Sequence, residues 1–163
     1  MAGEWDDLAL SYAKDIFKSY LKEDHLKAEE GLLIVDFGCG TGLLLGMMRH
    51  HASRMIGVDA SSKMIEVLED KIRSHGWDNV QAICTTLALE TNPILASLFG
   101  KVDLLVSTSV LNFVPQPDLP PTMKALGRLL RPGGSFFHSD WAAGDNQDEG
   151  MSPHLWHKTD IKC

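Results

Sequence analysis

Basic runs, cysteine pairs and long apolar stretches are missing from this chain, and each absence removes a class of function. The 15 lysines and arginines are scattered among 22 acids, for a formal charge of −7 over 163 residues. A protein that holds phosphate backbones by counterion release needs a basic stripe instead. No nucleic acid partner is expected. No run approaches the roughly 18 apolar residues of a membrane span, and the opening MAGEWDDLAL is acidic where a secretory leader would be basic. A soluble, cytoplasmic protein with no membrane partner is the expectation. Cys39, Cys84 and Cys163 are odd in number, far apart and outside any CxxC, which indicates reduced thiols rather than a disulfide framework or a zinc site. His138, His154 and His157 have no carboxylate at a fixed ligand spacing, so no metal is expected. No internal repeat or low-complexity segment is present.

What is there has the balance of one globular domain, 44% hydrophobic and 23% charged. From about Glu4 to Leu26, apolar residues at Leu8, Ala9, Tyr12, Ala13, Ile16, Phe17, Tyr20 and Leu21 follow helical spacing. GLLIVDFG then reads as a strand buried on both faces, because it has no polar alternation. Helix and strand alternate from there: TGLLLGMMRHHA as helix, RMIGVDAS as strand, SSKMIEVLEDKIRSHG as a helix capped by Ser61 or Ser62 and stopped at Gly76, NVQAIC as strand. TNPILASLFG is a short helix or loop, KVDLLVSTSV a fourth strand, DLPPTMKALGRLLRPGG a helix opened by prolines, and SFFHSDW a fifth strand. Parallel neighbours need a crossover of a dozen or more residues, usually helical. The expected fold is therefore α/β, a Rossmann-like doubly wound sheet, mainly parallel, of about five strands.

In such a sheet the ligand sits beyond the carboxyl ends of the strands, where strand order reverses. The first strand ends at Asp36 and Phe37, so Gly38, Gly40 and Gly42 line that crevice, where bare backbone can turn sharply and touch a ligand. Asp59 closes the second strand, 19 positions past Gly40, about where an acid accepts the two hydroxyls of a bound ribose. Glycine turn and ribose acid in register imply an adenosine-type ligand. The spacing G-x-G-x-G after Asp36 departs from the G-x-G-x-x-G of dinucleotide enzymes. A carboxylate there repels a pyrophosphate and attracts a cationic amine. A ligand carrying ribose and ammonium fits better than NAD.

LLIVDFGCGTGLLLG, MIGVDASSKMIEVLEDKI, VDLLVSTSVLNFVPQP and LGRLLRPGGSFFHSDW, in this order and spacing, resemble the successive motifs of class I methyltransferases that use S-adenosylmethionine, particularly the small-molecule type. EWDDLALSY resembles the start of that group's N-terminal lid helix. The resemblance covers most of Glu4 to Trp141. It implies that Gly38, Gly40 and Gly42, with Cys39 among them, wrap the methionine part of the cofactor, and that Asp36 orients its ammonium through water. It further implies that Asp59 holds the ribose hydroxyls, that Ala60 and Met64 pack on the adenine, and that Ser107, Thr108 and Leu111 face methionine and substrate. Tyr12 would close over the site. Thr85, Thr86 and Leu87 stand where the family usually has an acid for the adenine amine, which leaves a threonine hydroxyl as a weak substitute. Where many small-molecule members carry a His pair, this chain has Asn112 and Phe113. Asn112 can orient a hydroxyl but cannot take its proton at neutral pH, so no catalytic base is named. Cys39, near a helix N-terminus where thiolate is favoured, has space filling as its expected role.

The expected organisation is a single domain: a lid helix at 1–30, a cofactor-binding core at 31–141 and a loosely ordered tail at 142–163. The family's closing helix and antiparallel hairpin have no counterpart in AAGDNQDEGMSPHLWHKTDIKC, as in a C-terminally truncated member. SFFHSDW would then be an edge strand with open hydrogen-bonding groups, a site for self-association. The expected function is methyl transfer from S-adenosylmethionine to a small-molecule acceptor. The competing reading is a weakly active or inactive cofactor-binding module completed by a partner or by its own copy.

Overall fold

The computed structural model describes residues 31–86, 92–141 and 151–157, the last segment and Trp141 through their backbone. The lid helix with Tyr12, and Leu87, lie outside the described residues. The strands are β1 (Leu32–Phe37), β2 (Ala52–Asp59), β3 (Val80–Cys84), β4 (Val102–Thr108), β5 (Leu130–Trp141) and β6 (Met151–His157). The helices are α1 (Leu43–Met48), α2 (Ser62–His75), α3 (Pro93–Ala96) and α4 (Leu119–Leu129), with short 3-10 turns at Arg49–His51 and Leu111–Phe113.

The sheet runs β3-β2-β1-β4-β5-β6. The first five strands pair in parallel, as the alternation of strand and helix predicts. Order reverses between β1 and β4, so the crevice opens above the ends of those two strands. Alternation along β1 divides the core. Ile34 packs with Leu45, Met48, Ile65 and Leu68 under α1 and α2, while Val35 and Phe37 pack with Leu95, Leu126 and Leu129 under α3 and α4. Both faces of β1 are thereby dry, which is why its sequence is an unbroken apolar run.

Two boundaries depart from expectation. Helix α4 stops at Leu129, and the Arg-Pro-Gly-Gly stretch after it lies within β5: Val102 pairs with Leu130, whereas Leu104 pairs with Ser135. Residues 131–134 bulge out of the ladder because Pro132 has no N–H to give it and Gly133 turns at φ 76°. Arg131 Nε donates to Asp103 Oδ1 and the Leu33 N–H donates to Asp103 Oδ2 at 2.8 Å, which clamps this bulge to β1 and β4 at the end of the sheet away from the crevice.

The second departure concerns the tail. Residues 151–157 are not loose: they form β6, antiparallel to β5 from Ser135↔His157 to Trp141↔Met151. β5 is therefore not an open edge, and the self-association expected through it has no free ladder to use. The physical reason is that unpaired backbone groups of a buried strand need a partner whatever that partner's own periodicity. Pro153 is tolerated in β6 because, among the described strands, β6 is the edge of the sheet.

Candidate functional site

Beyond β1 the chain makes a tight turn whose three glycines all sit at positive φ: 79° at Gly38, 54° at Gly40 and 80° at Gly42. The reasons differ. A Cβ on Gly38 would come within 2.0 Å of Val110 Cγ2, so the glycine turn touches the segment that follows β4. A Cβ on Gly40 would meet nothing within 4 Å, so its missing side chain faces open space. The Gly38 and Cys39 N–H groups both donate to the Val58 carbonyl, at 2.7 and 3.0 Å, and seat the turn over the end of β2.

Asp59 joins the two halves. Its Oδ2 accepts from the Gly40 N–H at 2.9 Å and its Oδ1 accepts from the Ser61 N–H at 2.8 Å. One carboxylate therefore fixes the glycine turn and the entry to α2, where the Ser61 side chain makes no capping bond of its own. The turn and this acid, separate in sequence, share one end of the sheet. Each oxygen keeps acceptor capacity beyond the one N–H it receives.

Asp36 lies on the α1/α2 face of β1, 2% exposed. Burial first, and the Asp59 charge second, push its carboxyl up to about 7. Two carboxylates close enough for one to raise the other favour a cation near them. Burial, then Asp36 and Asp59, also push the Cys39 thiol up, so it stays protonated despite the nearby helix. Its sulfur packs in the core beside Leu45 and Leu68, 2.9 Å from where a Gly57 Cβ would be. Cys39 fills space in the core.

Ala60 is exposed and Met64 half-buried at the start of α2. Thr85, half-buried, donates its N–H to the Asp59 carbonyl at 3.0 Å, and Thr86 beside it is exposed. Ser107, at the end of β4, is 1% exposed, and its Oγ has no hydrogen-bond partner among the described residues. Leu111 corrects an expectation: rather than facing a ligand, it packs into the α3/α4 core with Val58 and Leu105. Asn112 is exposed, and Phe113, at 82%, is the one large hydrophobic among the described residues that stands in solvent. Reading the sequence did not single out Asp140, whose Oδ2 lies 3.5 Å from His138 Nδ1 on β5. Alternation along SFFHSDW puts the two on one face, but nothing local marks them as partners.

A parallel sheet with its switch point at β1/β4, a glycine turn preceded by a buried acid, and a second acid on that turn define the class of S-adenosylmethionine-dependent class I methyltransferases. The family described as Methyltransferase domain matches residues 34–134, and the chain belongs to it. The ubiquinone biosynthesis O-methyltransferase of Chelativorans sp. (strain BNC1) is 30% identical over 136 residues, covering 82% of this chain and 51% of that protein. PKMT2 from Rickettsia typhi, solved in complex with AdoHcy, has a TM-score of 0.58 at 29% identity over 68% of this chain and 21% of that one. A SAM dependent methyltransferase from Aquifex aeolicus has a TM-score of 0.65 at 19% identity, over 80% and 66% of the respective chains, a likeness of fold. The chain spans about half the length of the curated relatives it matches.

Proposed function

We propose that this chain binds S-adenosylmethionine and serves methyl transfer to a small hydroxylated acceptor. The observation that carries the reading is the bond from the Gly40 N–H to Asp59 Oδ2, with open space over Gly40. In this assignment Gly38, Cys39, Gly40 and Gly42 present backbone to the methionine part. Asp36, whose burial leaves it short of positive charge, faces the ammonium. Asp59 accepts the ribose hydroxyls with the lone pairs its two N–H bonds leave over. Ala60 and Met64 flank the adenine, and Ser107 lies toward the methionine and the acceptor.

The fit to the cofactor is good at the turn, the ribose and the ammonium, and poorer at the adenine, where Thr85 and Thr86 replace an acid. When bound, S-adenosylmethionine supplies an electrophilic methyl group on a sulfonium, so the protein's task is alignment. The oxygen acceptor is supported by the name of the Chelativorans relative. A small molecule, rather than nucleic acid, suits the net charge of −7. Among the described residues no helix is long and apolar enough to cross a membrane, and work in the cytoplasm is part of the same proposal. The competing reading, a module completed by its own copy through β5, is not favoured, because β6 occupies that edge.

Calorimetry with S-adenosylmethionine and S-adenosylhomocysteine tests the reading. Micromolar binding by wild type, lost in Gly40→Ala, is expected. Equal binding of NAD, or none of any of the three, would overturn it.

A further inference from the structure

The geometry points to His138 and Asp140 as the proton acceptor for the substrate hydroxyl, with Ser107 positioning its oxygen; this rests on the methyltransferase reading above. Leu105 on β4 and Phe136 on β5 belong to the α3/α4 face of the sheet. Two residues further along each strand, on that same face, come Ser107 and His138, which are partners in the parallel register. The Phe136 ring, 5.6 Å away and tilted by 32°, supports the imidazole from below. Asp140 follows on the same face, and its Oδ2 stands 3.5 Å from Nδ1, with side-chain exposures of 12% and 17% for the pair. That is an ion-pair distance rather than a formed hydrogen bond. Catalytic pairs of this kind tighten when substrate arrives.

Two further atoms point to a ligand. Ser107 Oγ and Asp140 Oδ1 are buried without hydrogen-bond partners among the described residues, a costly state unless something polar binds there. The cluster also adjoins the cofactor turn, since Val110, three residues past Ser107, lies against Gly38. The step balances simply. The acceptor O–H bond breaks, its proton forms an N–H bond at His138 Nε2, and the electron pair stays on oxygen as the nucleophile. The imidazolium charge is matched by the Asp140 carboxylate. An imidazole near pH 7 is about 3 units below a phenol and far weaker than an aliphatic alkoxide, so the acceptor class is an acidic hydroxyl such as a phenol.

The test uses 4-nitrocatechol, whose colour reports ionisation, with the full chain saturated with S-adenosylhomocysteine, about one pH unit below the probe's own pKa. Bound to wild type, its ionised-to-neutral ratio should rise about tenfold. His138→Gln should still melt cooperatively and bind S-adenosylhomocysteine within about twofold of wild type, yet lose the ionisation shift. Asp140→Asn should reduce it, and Ser107→Ala should weaken the probe about fivefold, as for one hydrogen bond. A probe that fails to bind while S-adenosylhomocysteine binds, or that ionises equally on His138→Gln, would overturn the assignment. Wild type that does not bind S-adenosylhomocysteine overturns the cofactor reading itself.

Discussion

Asp36 gives the sharpest expectation because its effect has a sign. In the empty protein burial and Asp59 raise its carboxyl from an ordinary 3.8 to about 7. A group whose folded value is raised keeps its proton in the folded state while the unfolded chain has already lost it, so stability falls as pH rises between the two values. The slope approaches about 1.4 kcal/mol per pH unit. From about pH 5 to about pH 7 the chain without ligand should therefore lose about 2 kcal/mol through this residue, with little further change above. Asp36→Asn, a neutral amide of the same size, should remove that component; urea denaturation of both proteins across the range reads the difference. Ligand binding should show the complementary effect. An ammonium beside Asp36 favours the ionised form, so affinity for S-adenosylhomocysteine should rise up to about tenfold per pH unit until about pH 7 and then level. 5′-Methylthioadenosine, which has the ribose and adenine but no ammonium, should show a flat profile. Parallel stability curves for wild type and Asp36→Asn, or the same pH profile for both ligands, would refute the reasoning that this carboxyl is held short of a cation.

Three other outcomes follow from the same geometry. Asp59→Ala should weaken S-adenosylhomocysteine by roughly 1.5 to 3 kcal/mol by calorimetry, and should also lower stability, because the Gly40 and Ser61 N–H groups lose their acceptor; unchanged affinity would remove the ribose assignment. Gly40→Ala should cost the empty protein only about 1 kcal/mol, the strain of φ 54° without a clash, while Gly38→Ala should cost more and be partly rescued by Val110→Ala, as denaturation of the double mutant would show. A chain ended after residue 141 should self-associate in sedimentation experiments, because losing β6 opens the β5 ladder.

The amino-acid sequence determined the layered α/β architecture and the placing of two acids, Asp36 and Asp59, at the same end of the sheet as the glycine turn. Buried strands announce themselves as continuous apolar runs such as LLIV, helices by their period, and a turn needing positive φ by Gly38, Gly40 and Gly42. These are signals carried within about ten residues of one another, and so they are legible in one dimension. Contacts between distant segments decided the rest. Met151–His157 pairs with β5 because that edge needs a partner, a demand its own residues do not encode. The 131–134 bulge reads as a helix-ending Pro-Gly-Gly until Val102 and Leu104 set the register across from it. Leu111 has the same apolar side chain whether it meets a ligand or the core, and only packing with Val58 and Leu105 assigned it. The pairing of Asp140 with His138 and the raised carboxyl of Asp36 likewise depend on burial, which exists only once the sheet has closed.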